Sequence, residues 1–455
     1  MKFKKFSPLN GELVKEYEYS SLENVSNTIA MLQQSFRNWK NLEVSKRQEI
    51  LKPVAFRLRE RKKLFAESIS NEMAKPYAQS LAEVDKCIAT IEACVQMDLS
   101  FLKPTTLNSV YQSSQILIEP LGVIYSIMPW NFPLWQSIRM ILPGLLSGNV
   151  ILLKHSEVTP EMGVLIEDLF SNLFESPVLK HHHIEHSNTD AILADSQVRG
   201  VSITGSTKAG LAIASIAAKY LKKYVLELGG SDPYLVFPNA DLKLAAKIIA
   251  QSRLQNTGQS CIAGKRCLIH DTILAEMLEL LKKEFANYSF GLPYESGVKL
   301  GPLADHRFKL ALAEQIEKFQ TATNAEKVFQ LRAPVDSKAA FVDAEIYLLK
   351  ENSDWLQAQE FFAPVLMLIP FKDEAEAIKI ANSTVFGLGA AIFSQDLLQA
   401  RRIASALEAG QVVINDFIKS DVSLPFGGIK MSGVGRELGR SGFLEFTEIK
   451  VISNS

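Results

Sequence analysis

The chain has 455 residues, 47% of them hydrophobic and 22% charged. At roughly 100–200 residues per domain that gives two to four domains, and it excludes disordered, collagen-like and coiled-coil chains. A balance of 49 basic against 50 acidic side chains leaves a net charge of -1, so no overall field favours nucleic acid or an anionic membrane, and neither is expected as a partner.

In chain order, the opening MKFKKFSPLNGELVKEYEY carries charge but no apolar core of a signal peptide. Apolar positions recur every three or four residues through Leu22–Trp39 and again through 50–73, and Ser45 with Gln48 has the capping-box spacing that marks the start of the second helix. Cys87 and Cys94, seven apart, read as core residues of a third helix. From about residue 115, short β-rich runs at 116–118, Val123–Met128, 150–153, 201–204, 225–228 and 234–237 alternate with helical stretches at 161–175 and 208–223. Such alternation predicts βα units on a mostly parallel sheet. The longest nearly apolar stretch, 141–153, falls short of the ~18–20 residues of a membrane span.

After residue 230 the pattern restarts, with helices near 241–254, 272–287, 373–381 and 396–408 and strands near 267–270, 365–369, 390–394 and 411–415. Two α/β domains are expected. The final strand, 446–452, has no obvious local partner, which points to pairing with another subunit and a homo-oligomer. Only four cysteines occur, without CxxC spacing, which fits a reducing, cytoplasmic compartment.

Several segments carry chemistry. Cys261 lies in NTGQSCIAGKR, a polar, glycine-punctuated loop where nearby cations would lower a thiol pKa; an inert cysteine near a turn is the competing reading. Cys267, in an apolar run, reads as core. Glu227 closes a strand before Gly229 and Gly230, at the sheet edge where α/β sites open, and burial there would raise its pKa towards neutrality and suit it as a general base. A surface glutamate at a strand end is the alternative. The turn Gly205-Ser206-Thr207 before a helix offers backbone N–H groups to a phosphate, or is a plain βα turn; Gly210 lacks the following Lys and Ser/Thr of a P-loop. Asn131, between Pro129 and Pro133, has an amide suited to an oxyanion, or simply completes a tight turn. Lys154-His155-Ser156-Glu157 ends another strand, where an exposed Lys/Glu pair is usually a solvated loop. His182 and His186 have helical i, i+4 spacing, but without a zincin glutamate they read as a solvated histidine-rich loop, and no metal is expected.

Taken together, PWNFP around Asn131, Lys154 to Glu157, the turn at Gly205, Glu227 in ELGG, Cys261 in NTGQSC, Glu360 in EFFAP and PFGGIK at 425–430 appear in the order seen in NAD(P)-dependent aldehyde dehydrogenases, and the chain resembles that family over essentially its whole length. The resemblance implies an α/β fold. It consists of a Rossmann-type coenzyme domain (1–105 and 121–229), an α/β catalytic domain (230–425) and a small β oligomerisation arm (106–120 and 441–455), assembled as a homodimer or homotetramer.

The resemblance also implies roles. Cys261 attacks the aldehyde, the Asn131 amide and the Cys261 N–H hold the oxyanion, and Glu227 activates the water that hydrolyses the thioester. Trp130, Asn131, Lys154, His155, Ser156, Glu157, Gly205, Ser206, Leu228 and Glu360 surround the coenzyme. Glu157 favours a ribose hydroxyl over a 2′-phosphate, so NAD is expected ahead of NADP, with Lys154 offsetting part of the repulsion. His155 and Ala363 depart from the family pattern at positions where Pro and Gly are usual.

For the substrate, Arg139 lies eight residues after Asn131 and resembles the carboxylate-binding position of family members acting on carboxylated aldehydes, with Ser420 near the tunnel mouth. The short length and the QNTGQ and LELGGSDP runs resemble compact bacterial succinate semialdehyde dehydrogenases, although Gln255 stands where many of those place a second Arg. The alternatives are another short aldehyde, transfer of the thioester to coenzyme A, a cofactor-independent cysteine acyltransferase or hydrolase, and a non-catalytic protein of the same fold. Glu227 argues for water over coenzyme A, and none of the seven histidines lies near Cys261 in sequence.

Overall fold

The computed structural model describes residues 1–335, 337–350 and 352–455. An N-terminal antiparallel hairpin, Lys2–Phe6 with Leu13–Glu18, leads into five helices, Leu22–Trp39, Val44–Leu51, Pro53–Glu60, Lys62–Met73 and Tyr77–Gln96. The single helix expected over 50–73 is broken, because Pro53 and the non-helical Arg61 interrupt it. The cap of Val44–Leu51 is Glu43 and Ser45 lies inside the helix, so the capping-box reading does not hold. Cys87 and Cys94 are buried in the apolar core, as expected.

A six-stranded sheet follows, in spatial order Gly433–Val434, Lys223–Glu227, Val198–Thr204, Val123–Met128, Val150–His155 and Leu179–His181. All neighbours are parallel except Gly433–Val434, which returns from far along the chain to pair antiparallel with Glu227 and Leu226. Its strands are buried on both faces, which is why they read as unbroken apolar runs. The helix after Val150–His155 ends at Leu169, short of the expected 175.

The second sheet has seven strands, ordered Glu326–Leu331, Ala344–Leu348, Val365–Phe371, Gly264–His270, Asp232–Val236, Gly389–Phe393 and Gln411–Ile414, parallel apart from the first pair. Side chains alternate between its faces into separate apolar clusters, Leu235, Leu268 and Met367 on one and Tyr234, Cys267 and Leu366 on the other. The terminal strand, Thr447–Asn454, pairs antiparallel with Ser113–Pro120 of the same chain, which also pairs with Thr105–Leu107. The expectation that it lacks a partner within its own chain is therefore corrected; it instead forms an edge that exposes Ile449, Val451 and Ile452. No helix among the described residues is long and apolar enough to cross a membrane.

Candidate active site

Cys261 sits between the 3-10 turn Gln255–Gly258 and the strand Gly264–His270. Asn256 and Thr257 both have φ of +53° and Gly258 has φ of +74°, so three consecutive left-handed residues coil the chain tightly ahead of the thiol. Side chains fasten that coil. The Asn256 amide donates to the Asn131 carbonyl at 2.8 Å and Gln259 donates to the Asn256 carbonyl at 3.1 Å. Buried Lys265 donates to the Cys261 carbonyl at 2.7 Å and the Ser260 carbonyl at 3.0 Å, and stands 3.1 Å from Glu360.

Two cavities meet at this loop. One, of about 510 Å³, is lined by Cys261, Arg139, Lys86, Trp135, Phe426 and Ser420 among others; a second, of about 330 Å³, is lined by Cys261, Asn131, Trp130, Thr204, Leu228 and Glu360 among others. Cys261 and Gln136 border both.

Asn131 ends the turn before the helix Pro133–Leu146, whose residues are all buried. Glu83 accepts the first free N–H groups of that helix, from Leu134 at 3.1 Å and Trp135 at 3.0 Å, and also receives Lys75 at 2.5 Å. Lys75 in turn donates to the Asn131 carbonyl at 2.9 Å. One hydrogen of the Asn131 amide goes to the Gln259 carbonyl at 3.1 Å, and a primary amide carries a second.

Glu227 is 1% exposed at the end of its strand and accepts no side-chain hydrogen bond. Burial raises its pKa to about 8, with Arg139 opposing and Glu437 adding. Arg139 projects from the Pro133–Leu146 helix, ion-paired to Glu437, 3.6 Å from Glu227 and 4.3 Å from the centre of the Phe426 ring. It lies in the wall of the larger cavity, and its charge is already engaged by two carboxylates. The expected lowering of the Cys261 pKa does not occur: burial pushes the thiol up to about 12, and the pull of Lys265 and Arg139 is too weak to reverse it.

Of the residues expected around the coenzyme, Trp130, Asn131, Gly205, Ser206, Leu228 and Glu360 line the smaller cavity. Trp130 stacks on Phe308 at 4.7 Å and meets Phe362 edge-on at 5.7 Å. Ser206 caps the helix Thr207–Lys219, and Gly210 lets that helix approach Leu228 closely. Lys154, Ser156 and Glu157 lie further out along the same sheet edge. Lys154 is buried, contrary to the solvated-loop reading, and burial lowers its pKa. Glu157 accepts the Tyr19 hydroxyl at 2.7 Å. His155 turns inward, bonding the Pro133 carbonyl at 3.0 Å and Thr159 at 3.1 Å, and like Lys154, Ser156 and Glu157 it is not part of the wall of this cavity.

The histidine-rich segment is solvated only in part: His186 is exposed, His182 and His183 are half-buried, and His181 is buried. His182 bonds Ser20 at 2.8 Å and Thr28 at 2.7 Å, and His181 and His183 pack edge-to-face at 4.7 Å beneath Phe3 of the hairpin. Among the described residues no group of three or more His, Cys, Asp or Glu could hold a metal. Lys75, Glu83, Lys86 and Glu437 escaped sequence reading. A charge on the buried stripe of an amphipathic helix, as Glu83 is beside Val84 and Cys87, is the signal available for Glu83, whereas Lys75 precedes that helix and Lys86 is only half-buried on it.

A thiol in the walls of two adjoining cavities, with a buried carboxylate of raised pKa nearby and an aromatic and apolar slot on one side, defines a class of site in which an enzyme joins a substrate to a sulfur beside a second bound molecule. The chain belongs to the aldehyde dehydrogenase family, whose model matches residues 1–452. It is 35% identical over 453 residues to an NADP(+) succinate-semialdehyde dehydrogenase of Deinococcus radiodurans, covering 99% of this chain and 94% of that one. It is 34% identical over 449 residues to an NAD(P)+ succinate semialdehyde dehydrogenase of Escherichia coli, covering 98% and 96%. Among solved structures it is similar to the succinic semialdehyde dehydrogenase of Streptococcus pyogenes in complex with NADP+, with a TM-score of 0.94, 31% identity and 99% coverage of both chains.

Proposed function

We propose that this enzyme oxidises succinate semialdehyde, or a closely similar short carboxylated aldehyde, to the carboxylate with NAD(P). The observation that carries this reading is the place of Cys261 in the walls of both cavities, so that an aldehyde in the larger one and a dinucleotide in the smaller one meet at its sulfur. Family membership and the succinate-semialdehyde relatives support it.

The smaller cavity fits a nicotinamide coenzyme. It offers an aromatic and apolar slot, the Glu360 carboxylate and the Thr204 hydroxyl, which is buried without a partner. Trp130, Leu228, Gly205, Ser206 and Glu360 would hold it, with Lys154, Ser156 and Glu157 at the far end. When bound it supplies the acceptor for the two electrons and proton that leave the aldehyde carbon. Glu157 supports NAD as the better coenzyme, with NADP also used.

The residues of the chain do the rest. The Cys261 sulfur adds to the carbonyl carbon as its proton passes to solvent. The second Asn131 hydrogen and the Cys261 N–H stabilise the resulting oxyanion. After oxidation leaves a thioester on Cys261, Glu227 takes a proton from water, and the hydroxide so generated attacks the acyl carbon and expels the thiolate. The deep, unbonded position of Glu227 favours water over coenzyme A as acceptor.

The six-stranded sheet supports 1–105 and 121–229 as the coenzyme domain, the seven-stranded sheet 230–425 as the catalytic domain, and the three-stranded sheet 106–120 with 441–455 as the oligomerisation arm. The exposed apolar side chains of Thr447–Asn454 support a homodimer or homotetramer, and four free cysteines support a cytoplasmic location. The test is absorbance at 340 nm with each coenzyme and succinate semialdehyde, glutarate semialdehyde and uncharged aliphatic aldehydes. Reduction that is fastest with a carboxylated aldehyde is expected. Absence of reduction with every aldehyde, or no advantage for a carboxylate, overturns the reading.

A further inference from the structure

Lys75 and Glu83 form an ion pair whose side chains are only 1% and 3% exposed, although both residues stand in the wall of the larger cavity. So little exposure leaves a ligand no access to their charges. A buried pair is weak evidence for stability, because desolvation offsets much of the attraction, and what else the two charges hold is the informative part.

Glu83 reaches across to the helix Pro133–Leu146, which has no side-chain cap of its own. The proline at its first position has no N–H, so Leu134 and Trp135 carry its first free donors, and both go to one Glu83 oxygen, at 3.1 and 3.0 Å. The other oxygen receives Lys75 at 2.5 Å. Lys75 lies in a sharp turn, between Ala74 with its left-handed φ of +57° and Pro76, and its ammonium is 4.1 Å from the centre of the Phe132 ring.

The same ammonium donates to the Asn131 carbonyl at 2.9 Å, and Asn256 of the loop that carries Cys261 donates to that oxygen at 2.8 Å. Two donors occupy both lone pairs of the carbonyl. The Asn131 backbone is thereby clamped between the entrance of the helix Tyr77–Gln96 and the Cys261 loop, while its side-chain amide is tethered to the Gln259 carbonyl at 3.1 Å. An asparagine side chain has only two rotatable bonds, so a fixed backbone fixes the point from which the amide reaches the thiol, and a hydrogen bond to a developing oxyanion tolerates little displacement.

We propose that Lys75 and Glu83 are positioning residues for the Asn131 amide. Glu83 anchors the helix that follows Asn131, Lys75 anchors the Asn131 carbonyl, and together they hold the free amide hydrogen where the oxyanion forms on the carbon bonded to Cys261. This rests on the reading in which an aldehyde adds to Cys261 beside Asn131. The pair does not touch the substrate, and its effect falls on the steps that pass through an oxyanion.

The experiment measures the first-turnover rate of coenzyme reduction at 340 nm in wild type, Asn131→Ala, the paired variant Lys75→Met with Glu83→Gln, and all three substitutions together. The paired variant removes the ammonium without leaving a lone buried carboxylate, and its new amide still accepts from Leu134 and Trp135. Asn131→Ala should slow the first turnover about 100-fold or more and the paired variant about 10–100-fold, with half-saturation by succinate semialdehyde and by butanal within about threefold of wild type. The three substitutions together should be within about threefold of Asn131→Ala, because residues that act as a unit are not additive. Alkylation of Cys261 by iodoacetamide creates no oxyanion, so the paired variant should keep the wild-type rate within about threefold. Losses that multiply in the triple variant, an alkylation rate that falls in step with turnover, or a paired variant as fast as wild type each overturn the proposal. If the paired variant does not fold, Lys75→Gln carries the same comparison. An Asn131→Ala variant as fast as wild type, or no reduction by wild type, overturns the parent reading instead.

Discussion

Arg139 and Glu227 stand 3.6 Å apart, each almost fully buried, and Glu437 holds the same guanidinium from the other side. Two carboxylates share one positive charge. A proton makes up the deficit, and Glu227 keeps it up to about pH 8 because burial outweighs the attraction of Arg139.

Removing that guanidinium should therefore raise the Glu227 pKa further. Arg139→Gln is expected to shift the ascending limb of the pH–rate profile for thioester hydrolysis to higher pH, and to lower kcat at pH 7.5 by about tenfold or more for charged and uncharged aldehydes alike. Steady-state pH profiles on both substrates check this.

Glu227→Gln separates activity from stability. Without the base, the acyl enzyme should accumulate, giving a pre-steady-state burst of reduced coenzyme followed by slow turnover. The native pKa of Glu227, about 8, lies above its ordinary 4.5, so its contribution to stability is fully present below pH 4.5 and is lost as pH rises through about 8. The variant, which cannot ionise, should gain in Tm over wild type between pH 5 and pH 9. Thermal unfolding across that range is the measurement.

Gly258→Ala tests the coil ahead of the thiol. The added methyl would sit 2.6 Å from the Pro364 nitrogen and closer still to the Ala363 carbonyl, at a φ of +74° that side chains rarely adopt. A loss of about 2–4 kcal/mol in stability is expected from overpacking and backbone strain together, with activity falling alongside. Denaturant unfolding and the 340 nm assay measure the two effects.

Glu157→Ser should raise kcat/KM with NADP relative to NAD by about tenfold, since it removes a carboxylate from the neighbourhood of the 2′-position and leaves Lys154 unopposed. Kinetics with both coenzymes at saturating aldehyde decide it.

Much of the fold was legible because strands such as Val123–Met128 are buried on both faces and must be continuously apolar. The helix His306–Thr323 was not read: only Leu312 and Phe319 are buried, too few to mark a stripe. The hairpin Lys2–Phe6 was also missed, although its buried Phe3 and Lys5 alternate with exposed neighbours. Within the site, Cys261, Asn131 and Glu227 announce themselves by turn residues beside them. Lys86 meets Ser420 across 334 residues of sequence, and Arg139 meets Glu437 across a comparable span, so neither pairing leaves a local trace. The rise in the Cys261 pKa is hidden from the sequence for a related reason. Its nearby cations are visible in the sequence, whereas the depth of its burial is a property of the assembled walls.

The pairing of Gly433 with Glu227 has a temporal side. On the ribosome the strand bearing the carboxylate emerges about two hundred residues before the short edge that covers it, and Glu437 follows only then. A partly synthesised chain thus carries Cys261 and Glu227 before the edge strand that pairs beside the carboxylate and before the Glu437 that shares its arginine.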